Sequence, residues 1–422
     1  MALKTKSIRG TRDVTPAESH KWQYIERAAL EIAENYGIKE IRLPTIEKTE
    51  LFVRSVGETT DVVQKEMYTF EKGKESITLR PEGTAGTMRA VIENGILGGV
   101  LPAKMCYIIS CFRHENPQAG RLREFHQFGV EYFGASSPSA DAQVIGTAWD
   151  LFERLGIGGI ALRLNSIGCP DCRPEYNKKL LEYYTPLRES ICELCKDRLE
   201  KNPLRLLDCK NEGCARFIPE APVIINHLCS ECADHFGGLK SRLDIMGIKY
   251  EVDPYIVRGL DYYTKTVFEF VTNQIGAQGT VCGGGRYDLL CEHLGGPPTP
   301  GLGYAIGLER LIMLMEACEA EFKPDKPCYI YIGSMGEKEN LKALELVSAL
   351  RKRGIYAECD SMSRSVKAQM KYADKIGARF SCILGEAELG SGEIAVRNMQ
   401  TGEEIKSLLT LDGIMEIEMG NK

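Results

Sequence analysis

Residues 105–133 read MCYIISCFRHENPQAGRLREFHQFGVEYF, and the pattern of this stretch decides the fold. Residues 105–113 are apolar enough for a buried strand, and residues 124–133 alternate apolar and polar side chains as a second strand does. The polar segment between them contains Pro117 and Gly120, which favour a hairpin loop. We therefore expect an antiparallel sheet built around this hairpin.

The segments on either side of the hairpin predict further strands and helices of the same body. Before residue 168 we expect helices over 18–36, 84–93 and 138–155, and strands over 38–46 (broken at Pro44), 76–80 and 159–166. After residue 247, the segments IVRGLDYYT (256–264), VFEFVT (267–272) and GTVCGGGRYDLL (279–290) resemble strands and glycine turns. The stretch that begins GLGYAIGLERL predicts a helix over 301–316.

Changes in composition divide the chain into three regions. An α+β body with an antiparallel sheet takes residues 1–168 and 247–322, and a Cys-rich, mainly helical insertion interrupts it at 169–246. A linker near 323–327 leads to a small α/β domain at 326–422. The elements predicted for that domain are strands over 328–334, 355–359, 380–384 and 393–398, and helices over 338–352 and 365–376.

Composition bounds the class of protein and its compartment. The net charge is −6, so no basic excess announces a nucleic-acid binder, although a local basic patch can act inside an acidic chain. The N-terminal residues lack the apolar stretch of a secretory signal, and no run of 18 apolar residues predicts a membrane span. We expect a cytoplasmic protein that makes no membrane contact, in which the 16 cysteines are reduced thiols or metal ligands.

The hairpin carries the first candidate site. Arg113 ends the apolar strand, where a guanidinium can hold a phosphate through two hydrogen bonds, and the ring of Phe125 can stack on a base. Gln127 and Glu131 are four residues apart, so both leave the strand on the face opposite Phe128. Surface charge beside a hairpin is the alternative interpretation of the same residues.

A second candidate lies at Gly307-Leu308-Glu309-Arg310, within the predicted apolar helix. An arginine in such a helix needs a counter-charge or a bound anion. A structural Arg–Glu pair is the alternative to an anion site.

Together these two segments resemble motifs 2 and 3 of class II aminoacyl-tRNA synthetases, and further segments resemble the histidyl-tRNA synthetase family. The order and spacing of the motifs make the resemblance specific, and it covers residues 7 to about 410. The additional matching segments are the opening RGTRD (9–13), a motif 1 candidate at 37–56, LRPEGTAG (79–86), RGLDYY (258–263) and GGGRYD (283–288).

The resemblance implies an α+β catalytic domain of the class II type, with a C-terminal domain that binds the anticodon. The implied reaction joins histidine to ATP to give histidyl-adenylate, and then moves histidine to the 3′ end of its tRNA, with release of pyrophosphate and AMP. Mg²⁺ is expected to accompany ATP. A homodimer is expected through the motif 1 segment.

Roles for individual residues also follow from the resemblance. The implied catalytic pair is Arg113 and Arg258, which hold the α-phosphate from opposite sides. The implied ATP-binding residues are Arg113, Glu115 (adenine amine), Arg121 (terminal phosphates or the tRNA end), Phe125 and Arg310 (the two faces of adenine, with Arg310 also at the γ-phosphate). The implied histidine-binding residues are Glu82, Gly83, Thr84, Gln127, Glu131, Arg258, Tyr262, Tyr263 and Tyr287.

A basic stretch in the C-terminal domain is a candidate tRNA contact. Residues 351–379 carry eight Lys or Arg against three Asp or Glu, and Lys367, Lys371 and Lys375 follow one face of the predicted helix. Charge alone favours an ordinary solvated face. The resemblance to synthetases with an anticodon domain favours tRNA phosphates as the partner.

Eight cysteines of the insertion form four close pairs: Cys169 with Cys172, Cys192 with Cys195, Cys209 with Cys214, and Cys229 with Cys232. This spacing favours two structural zinc sites with four cysteines each, and free thiols left in an insertion are the alternative. We expect pairing in sequence order, with the first four cysteines in one site and the last four in the other. Other pairings satisfy the spacing too.

Two other functions compete with an active synthetase. One is the catalytically inert relative that serves as a histidine-sensing regulatory subunit of ATP phosphoribosyltransferase, and the other is a nucleic-acid-binding pseudo-synthetase module of a stress kinase. The first typically lacks the anticodon domain and departs from the catalytic signatures, whereas this chain keeps Arg113, Arg258 and Arg310. No kinase motif flanks the domain, which disfavours the second.

Overall fold

The computed structural model describes residues 5–57, 60–209, 211–276, 279–322 and 326–417. The chain folds into two compact units, Met1–Phe322 and Lys323–Lys422. Among the described residues, no helix is both long enough and apolar enough to cross a bilayer.

An eight-stranded sheet forms the body of the first unit. Its strands run antiparallel except at the two edges, where β1 pairs with β5 and β7 with β8 in parallel, and the order is β1-β5-β6-β11-β10-β9-β7-β8. A smaller antiparallel sheet has the order β2-β4-β3. The strands are β1 (Lys39–Glu40), β2 (Ile46–Lys48), β3 (Thr69–Lys72), β4 (Glu75–Leu79), β5 (Ala103–Phe112), β6 (Glu124–Phe133), β7 (Ala161–Ser166), β8 (Tyr250–Val252), β9 (Thr264–Val271), β10 (Thr280–Arg286) and β11 (Gly301–Gly307).

Helices cover one face of the large sheet and leave the other face for the site. Apolar residues of α1, α4 and α10 pack against alternate residues of the central strands, such as Phe128, Val130 and Ile306. The helices of this unit are α1 (Pro16–Asn35), α2 (Thr49–Val56), α3 (Thr84–Glu93), α4 (Pro138–Arg154), α5 (Arg173–Tyr184), α6 (Glu193–Lys201), α7 (Glu212–Ala215), α8 (Ser230–Ile245), α9 (Leu290–His293) and α10 (Leu308–Ala317).

The predicted α+β architecture with its antiparallel sheet is confirmed, but three local predictions are wrong. The strand expected over 38–46 is limited to the two residues of β1, and β2 begins only at Ile46. The expected helix over 301–316 is a strand followed by a helix, β11 and α10, because residues 301–307 pair with β6 and β10. Gly301 and Gly303 lie where a Cβ would overlap Tyr287 and Glu131, which explains why these positions are glycine. Residues 258–263 form turns rather than a strand.

The Cys-rich insertion packs into the body instead of standing apart from it. One cluster of buried residues joins Tyr176, Leu180 and Leu206 of the insertion to Tyr262 and Tyr287 of the body. The last helix of the insertion, α8, packs along α4. The insertion therefore shares a hydrophobic core with the residues behind the candidate site.

A buried ion pair ties these elements together. Arg286 of β10 is fully buried, and its Nε lies 2.7 Å from Oδ1 of Asp141 in α4. Its other nitrogens donate to the carbonyl oxygens of Ala135 (3.0 Å) and Ser137 (3.1 Å). Asp141 also contacts His235 of α8, so one carboxylate links the sheet, a covering helix and the insertion.

The second unit is a five-stranded α/β sheet with the order β13-β12-β14-β15-β16. The first three strands in this order are parallel, and β15 and β16 add antiparallel strands. All six elements predicted from sequence are present, and β16, α13 and α14 are additional. The elements are β12 (Ile330–Ser334), α11 (Glu337–Lys352), β13 (Ala357–Cys359), α12 (Val366–Lys375), β14 (Phe380–Leu384), α13 (Glu386–Ser391), β15 (Glu393–Asn398), β16 (Glu404–Leu408) and α14 (Leu411–Glu416).

Candidate functional site

A cleft on the open face of the large sheet brings together eleven of the residues predicted from sequence. Strands β6, β10 and β11 supply its base, and the turn at 258–263 forms one wall. The predicted residues that line it are Glu82, Thr84, Arg113, Glu115, Arg121, Phe125, Gln127, Arg258, Tyr262, Tyr263 and Arg310. Glu131 and Tyr287 are buried beneath it.

Three arginines converge at one end of the cleft. Arg310 donates from Nε to the carbonyl of Gly120 (3.0 Å) and from Nη1 to that of Thr280 (2.7 Å). Burial lowers the pKa of Arg310, and the neighbouring cations Arg121 and Arg113 lower it further. Cations held this close together repel one another, so this end of the cleft favours a polyanion.

Glu115 and Phe125 lie within this group of arginines. Oε2 of Glu115 is 2.8 Å from Nε of Arg121, and its Oε1 is 3.9 Å from Nη1 of Arg113. The guanidinium of Arg113 lies over the ring of Phe125 at 5.3 Å and donates to the carbonyl of Pro81 at 2.9 Å. Thus a flat aromatic face and one carboxylate lie beside the cations.

Arg258 forms the opposite wall. It is ion-paired with Glu269 of β9 and lies over the ring of Tyr263 at 5.7 Å. Burial opposes the charge of Arg258, but Glu269 and Tyr263 outweigh that effect and raise its pKa. Its Nε is buried with no hydrogen-bond partner among the described residues.

The glycine next to this wall makes room for Arg258. A Cβ on Gly283 would overlap the guanidinium of Arg258 where it pairs with Glu269, so glycine at this position lets β10 pass close to the ion pair. The first glycine of the GGGRYD segment therefore has a steric explanation at the site.

A buried carboxyl lies beneath the cleft. Glu131 accepts hydrogen bonds from Thr84 Oγ1 (2.6 Å), Tyr107 Oη (3.0 Å) and Tyr287 Oη. Burial raises the pKa of Glu131 to about 8, although the hydrogen bonds from Thr84, Tyr287 and Tyr107 partly offset it. A cationic ligand placed above this carboxyl would favour its ionised form.

A second buried carboxyl, Glu82, lies at the N-terminus of α3. Its two oxygens accept from the backbone N–H groups of Thr84 and Ala85, each at 2.8 Å. Burial raises the pKa of Glu82, and the two backbone hydrogen bonds oppose that rise. The cleft therefore has cations at one end and two desolvated carboxyls at the other.

Gly83 contributes space rather than a side chain. A Cβ on Gly83 or on Gly129 would overlap the ring of Tyr107, which lies between the two backbones and reaches Glu131.

Tyr262, Tyr263 and Tyr287 form an aromatic cluster. The ring centroids are 4.7 Å apart for Tyr262 and Tyr263, 5.5 Å for Tyr262 and Tyr287, and 6.4 Å for Tyr263 and Tyr287.

Two residues that hold the site were not predicted: Glu269 pairs with Arg258, and Tyr107 holds Glu131. Glu309, named with Arg310 in the second candidate, accepts from the backbone N–H (3.0 Å) and ring Nδ1 (2.9 Å) of His126. Glu269 could have been identified from the sequence as a candidate partner for a cation, since it is a lone carboxylate between apolar residues of β9. Tyr107 could not have been identified, because a tyrosine in an apolar strand is usually core.

The eight paired cysteines of the insertion form two separate clusters. In each cluster the four Sγ atoms lie within 4.8 Å of one another. The outer cluster contains Cys169, Cys172, Cys229 and Cys232, and the inner cluster contains Cys192, Cys195, Cys209 and Cys214.

Pairing in sequence order is therefore wrong. The chain leaves the body next to Cys169 along α5 and returns along α8, which begins after Cys229, so the two ends of the insertion meet. The inner pairs are left to meet each other farther along the insertion. This nesting comes from the path of the chain, and cysteine spacing carries no information about it.

Three Sγ–Sγ distances within the clusters are close to those of a tetrahedral zinc site. A Zn–S bond of about 2.3 Å places the sulfurs of a tetrahedron about 3.8 Å apart. The Sγ distances are 3.6 Å for Cys169–Cys172, 3.8 Å for Cys169–Cys229 and 3.9 Å for Cys192–Cys209. Backbone N–H groups of Cys229 and Cys192 also donate to sulfurs, each at 3.1 Å.

The three lysines of the second unit have the arrangement expected from sequence. Lys367, Lys371 and Lys375 are exposed on α12, whereas Gln369 and Ala373 on its other face are buried. Exposure leaves the lysines accessible to a large anionic partner.

Comparison with known proteins gives consistent matches over both units. The family model "Histidyl-tRNA synthetase" matches residues 10–170 and 215–311, and the model "Anticodon binding domain" matches residues 328–416. The gap at 171–214 contains both inner cysteine pairs.

Individual relatives match over nearly the whole chain. A histidine–tRNA ligase of Acetivibrio thermocellus is 55% identical over 403 residues, covering 95% of this chain and 97% of the relative. One of Clostridium novyi is 52% identical over 414 residues, covering 98% and 99%. The crystal structure of apo histidyl-tRNA synthetase from S. aureus matches with a TM-score of 0.84 and 38% identity, covering 98% of this chain and 99% of that one.

The raised pKa of Glu131 predicts a pH-dependent change in stability. The pKa of this carboxyl is 4.5 in the unfolded chain and about 8 in the folded protein. The free energy of unfolding should therefore fall as pH rises between those two values. In the ligand-free protein, Glu131→Gln should therefore raise the melting temperature, relative to the wild type, more at pH 8.5 than at pH 5.5. Differential scanning calorimetry at both pH values measures this, and a pH-independent difference would contradict the assignment.

Proposed function

The chain belongs to the histidyl-tRNA synthetase family and ligates histidine to tRNA, and from this premise we infer which side chains carry out the reaction. The observation that supports the assignment best is the division of one cleft into a cationic and a carboxyl-lined end. ATP phosphates suit Arg113, Arg121 and Arg310, and the ammonium group of histidine suits Glu82 and Glu131.

We propose that Arg113 and Arg258 hold the α-phosphate during the first step. The histidine carboxylate attacks this phosphorus, a new P–O bond forms, and the bond to the β-phosphate breaks to release pyrophosphate. Two anions must approach each other while charge builds on the phosphorus. Fixed guanidinium groups on both sides offset these costs without any covalent intermediate on the protein.

The remaining groups of the cleft orient the two substrates. Phe125 and Arg310 enclose the adenine, Glu115 accepts from its amine, and Arg121 contacts the terminal phosphates. Mg²⁺ bound to the phosphates of ATP would neutralise part of their charge. Tyr263 and Tyr287 read the imidazole, with Gln127, Thr84 and Tyr262 completing the pocket, and Gly83 leaves the space that Tyr107 fills.

In the second step a ribose hydroxyl at the 3′ end of the tRNA attacks the acyl carbon of the adenylate. The ester bond to the ribose forms, the bond between the acyl carbon and the phosphate oxygen breaks, and AMP leaves. The arginines that held the phosphate then stabilise the leaving AMP.

Identity over the whole length disfavours the regulatory-subunit and kinase-module alternatives. The relatives at 55% and 52% identity are named histidine–tRNA ligases, and the chain spans 97% and 99% of their lengths. Arg113, Arg258 and Arg310 also converge on one cleft, which an inert relative would not need.

We also propose a homodimer formed through the motif 1 segment. Ile46 in this segment is 54% exposed, and Phe70 on the same small sheet is 47% exposed. Large apolar side chains exposed together on a soluble protein usually mark an interface. A second copy of the chain would bury them.

Replacing Arg258 tests the proposed catalytic role. Arg258→Ala should lower histidine-dependent ATP–pyrophosphate exchange by about 10²–10³-fold, as expected for the loss of one preorganised donor at the reacting phosphate. Arg163→Ala is the control, because Arg163 lies on β7 outside the cleft and pairs with Asp253 at 3.3 Å. Near-normal exchange by folded Arg258→Ala would overturn the role, and absence of exchange in the wild type would overturn the function.

We propose that each cysteine cluster holds one structural zinc ion, which would staple the insertion and take no part in the reaction. The purified protein should then contain two equivalents of zinc, one for each cluster. Changing Cys169 and Cys229 together to Ser should remove one equivalent because both belong to the outer cluster, whereas pairing in sequence order would cost both.

The matched control for the zinc measurement is Cys359→Ser, which lies outside the clusters and should keep the full metal content. Elemental analysis of the three proteins decides the question. Less than half an equivalent in the wild type would contradict the zinc proposal.

We propose that Lys367, Lys371 and Lys375 contact tRNA phosphates. Changing Lys367 and Lys371 to Ala should weaken charging of tRNA, make its affinity less sensitive to salt, and leave pyrophosphate exchange unchanged. Lys342→Ala on α11 is the control, since Lys342 pairs with Glu345. Equal loss of charging and exchange would argue against a role in tRNA binding.

A further inference from the structure

The Cys-rich insertion holds the back of the histidine-recognition loop, which we define as residues 258–263. Arg205 donates from Nη1 to the carbonyl of Arg258 at 2.7 Å, and Arg173 donates from Nη2 to the carbonyl of Tyr263. Asn202 donates from Nδ2 to Oδ1 of Asp261 at 3.1 Å. Contacts from the insertion therefore reach the first, middle and last parts of the loop.

The loop depends on such contacts because it has no regular structure of its own. Residues 258–263, all of which the structure describes, belong to neither a strand nor a helix. The carbonyls at its two ends accept hydrogen bonds from the insertion's arginines instead of from a neighbouring strand. These donors help to define where the guanidinium of Arg258 and the ring of Tyr263 lie, together with two contacts from the body: the ion pair of Arg258 with Glu269, and the hydrogen bond from the N–H of Asp261 to the carbonyl of Val56 at 3.1 Å.

Each of these donors is adjacent to a cysteine cluster. Arg173 directly follows Cys172 of the outer cluster, and Arg205 lies in the 3-10 segment Pro203–Asp208 that ends next to Cys209 of the inner cluster. The backbone that carries each arginine is therefore anchored close to its side chain. An anchored donor loses little conformational freedom when it holds the loop.

Burial of the guanidinium groups of Arg173 and Arg205 costs desolvation free energy. Arg205 is 7% exposed. The Nε of Arg173 is buried without a hydrogen-bond partner among the described residues. Apolar side chains would fill this space without desolvating a charge, so packing alone does not explain two arginines here.

We propose that Arg173 and Arg205 are positioning residues for histidine, and that through them the Cys-rich insertion sets the geometry of the recognition loop. The proposal rests on the function inferred above. It deepens that function by assigning to the insertion a role in amino-acid recognition. Arg113, Arg121 and Arg310 lie on the β5–β6 hairpin and α10, outside the loop, so ATP binding should change less than histidine binding. The loop also carries Arg258, proposed above to hold the α-phosphate, so a displaced loop should slow the chemical step as well.

The test uses Arg205→Met and Arg173→Met, which keep most of the side-chain length and remove the donors. In histidine-dependent pyrophosphate exchange, each should raise the KM for histidine by about tenfold or more, lower kcat because Arg258 moves with the loop, and leave the KM for ATP within about twofold, since small misplacement of a binding group is costly. Arg205→Lys, which retains one donor and the charge, should recover part of the loss. The control is Arg188→Met, an exposed insertion residue paired with Glu200.

Hydrogen exchange reads the same effect without relying on activity. Peptides covering residues 256–263 should exchange faster in Arg205→Met and Arg173→Met than in the wild type or in Arg188→Met, while peptides from β5 and β6 stay unchanged. Unchanged exchange of the loop overturns the proposal, as does a histidine KM within about twofold of wild type in a folded variant, or an equal rise in both KM values. Absence of activity in the wild type would overturn the proposed function alone, because loop exchange still decides the positioning role.

Discussion

The ion pair between Arg286 and Asp141 is the interaction on which the rest of the first unit depends. A fully buried guanidinium is tolerated because a carboxylate at 2.7 Å and two backbone carbonyls satisfy it. Asp141 also binds His235, so the sheet, its covering helix and the insertion are joined at one point. The next residue, Tyr287, supports Glu131 beneath the cleft, which places this structural pair directly beside the site.

Steric exclusion is the second constraint on the site. Gly83, Gly129, Gly283, Gly301 and Gly303 each lie where a Cβ would overlap a side chain of the site or its floor. The sheet can therefore bring Tyr107, Arg258 and Glu131 closer to its backbone than ordinary residues would allow. Electrostatics then divides the cleft, because the arginines at one end disfavour one another's charge and the buried carboxyls at the other resist ionisation. ATP and histidine together relieve both strains, since the phosphates of ATP offset the repulsion between the arginines and the ammonium group of histidine favours ionised carboxyls.

The Cys-rich insertion of this chain contacts the loop that carries the family's histidine-binding residues. Its cysteine clusters lie in a segment that the family model skips in part, yet its arginines hold the loop that carries Arg258 and Tyr263. An element outside the cleft can thus govern recognition within it, since a loop without a backbone ladder takes its position from whatever binds its carbonyls.

The sequence by itself determined the elements and the chemistry of the residues. The helix over 84–93 and the strand over 124–133 have the bounds predicted from periodicity, because that signal is local. The arginines and tyrosines of the site were found through motifs whose order along the chain is specific. Only the tertiary structure decided that residues 301–307 are a strand, that the cysteines pair in a nested order, and that Glu269 is the partner of Arg258. Each of these depends on what a distant segment places beside the residue, and neither spacing nor composition records that contact.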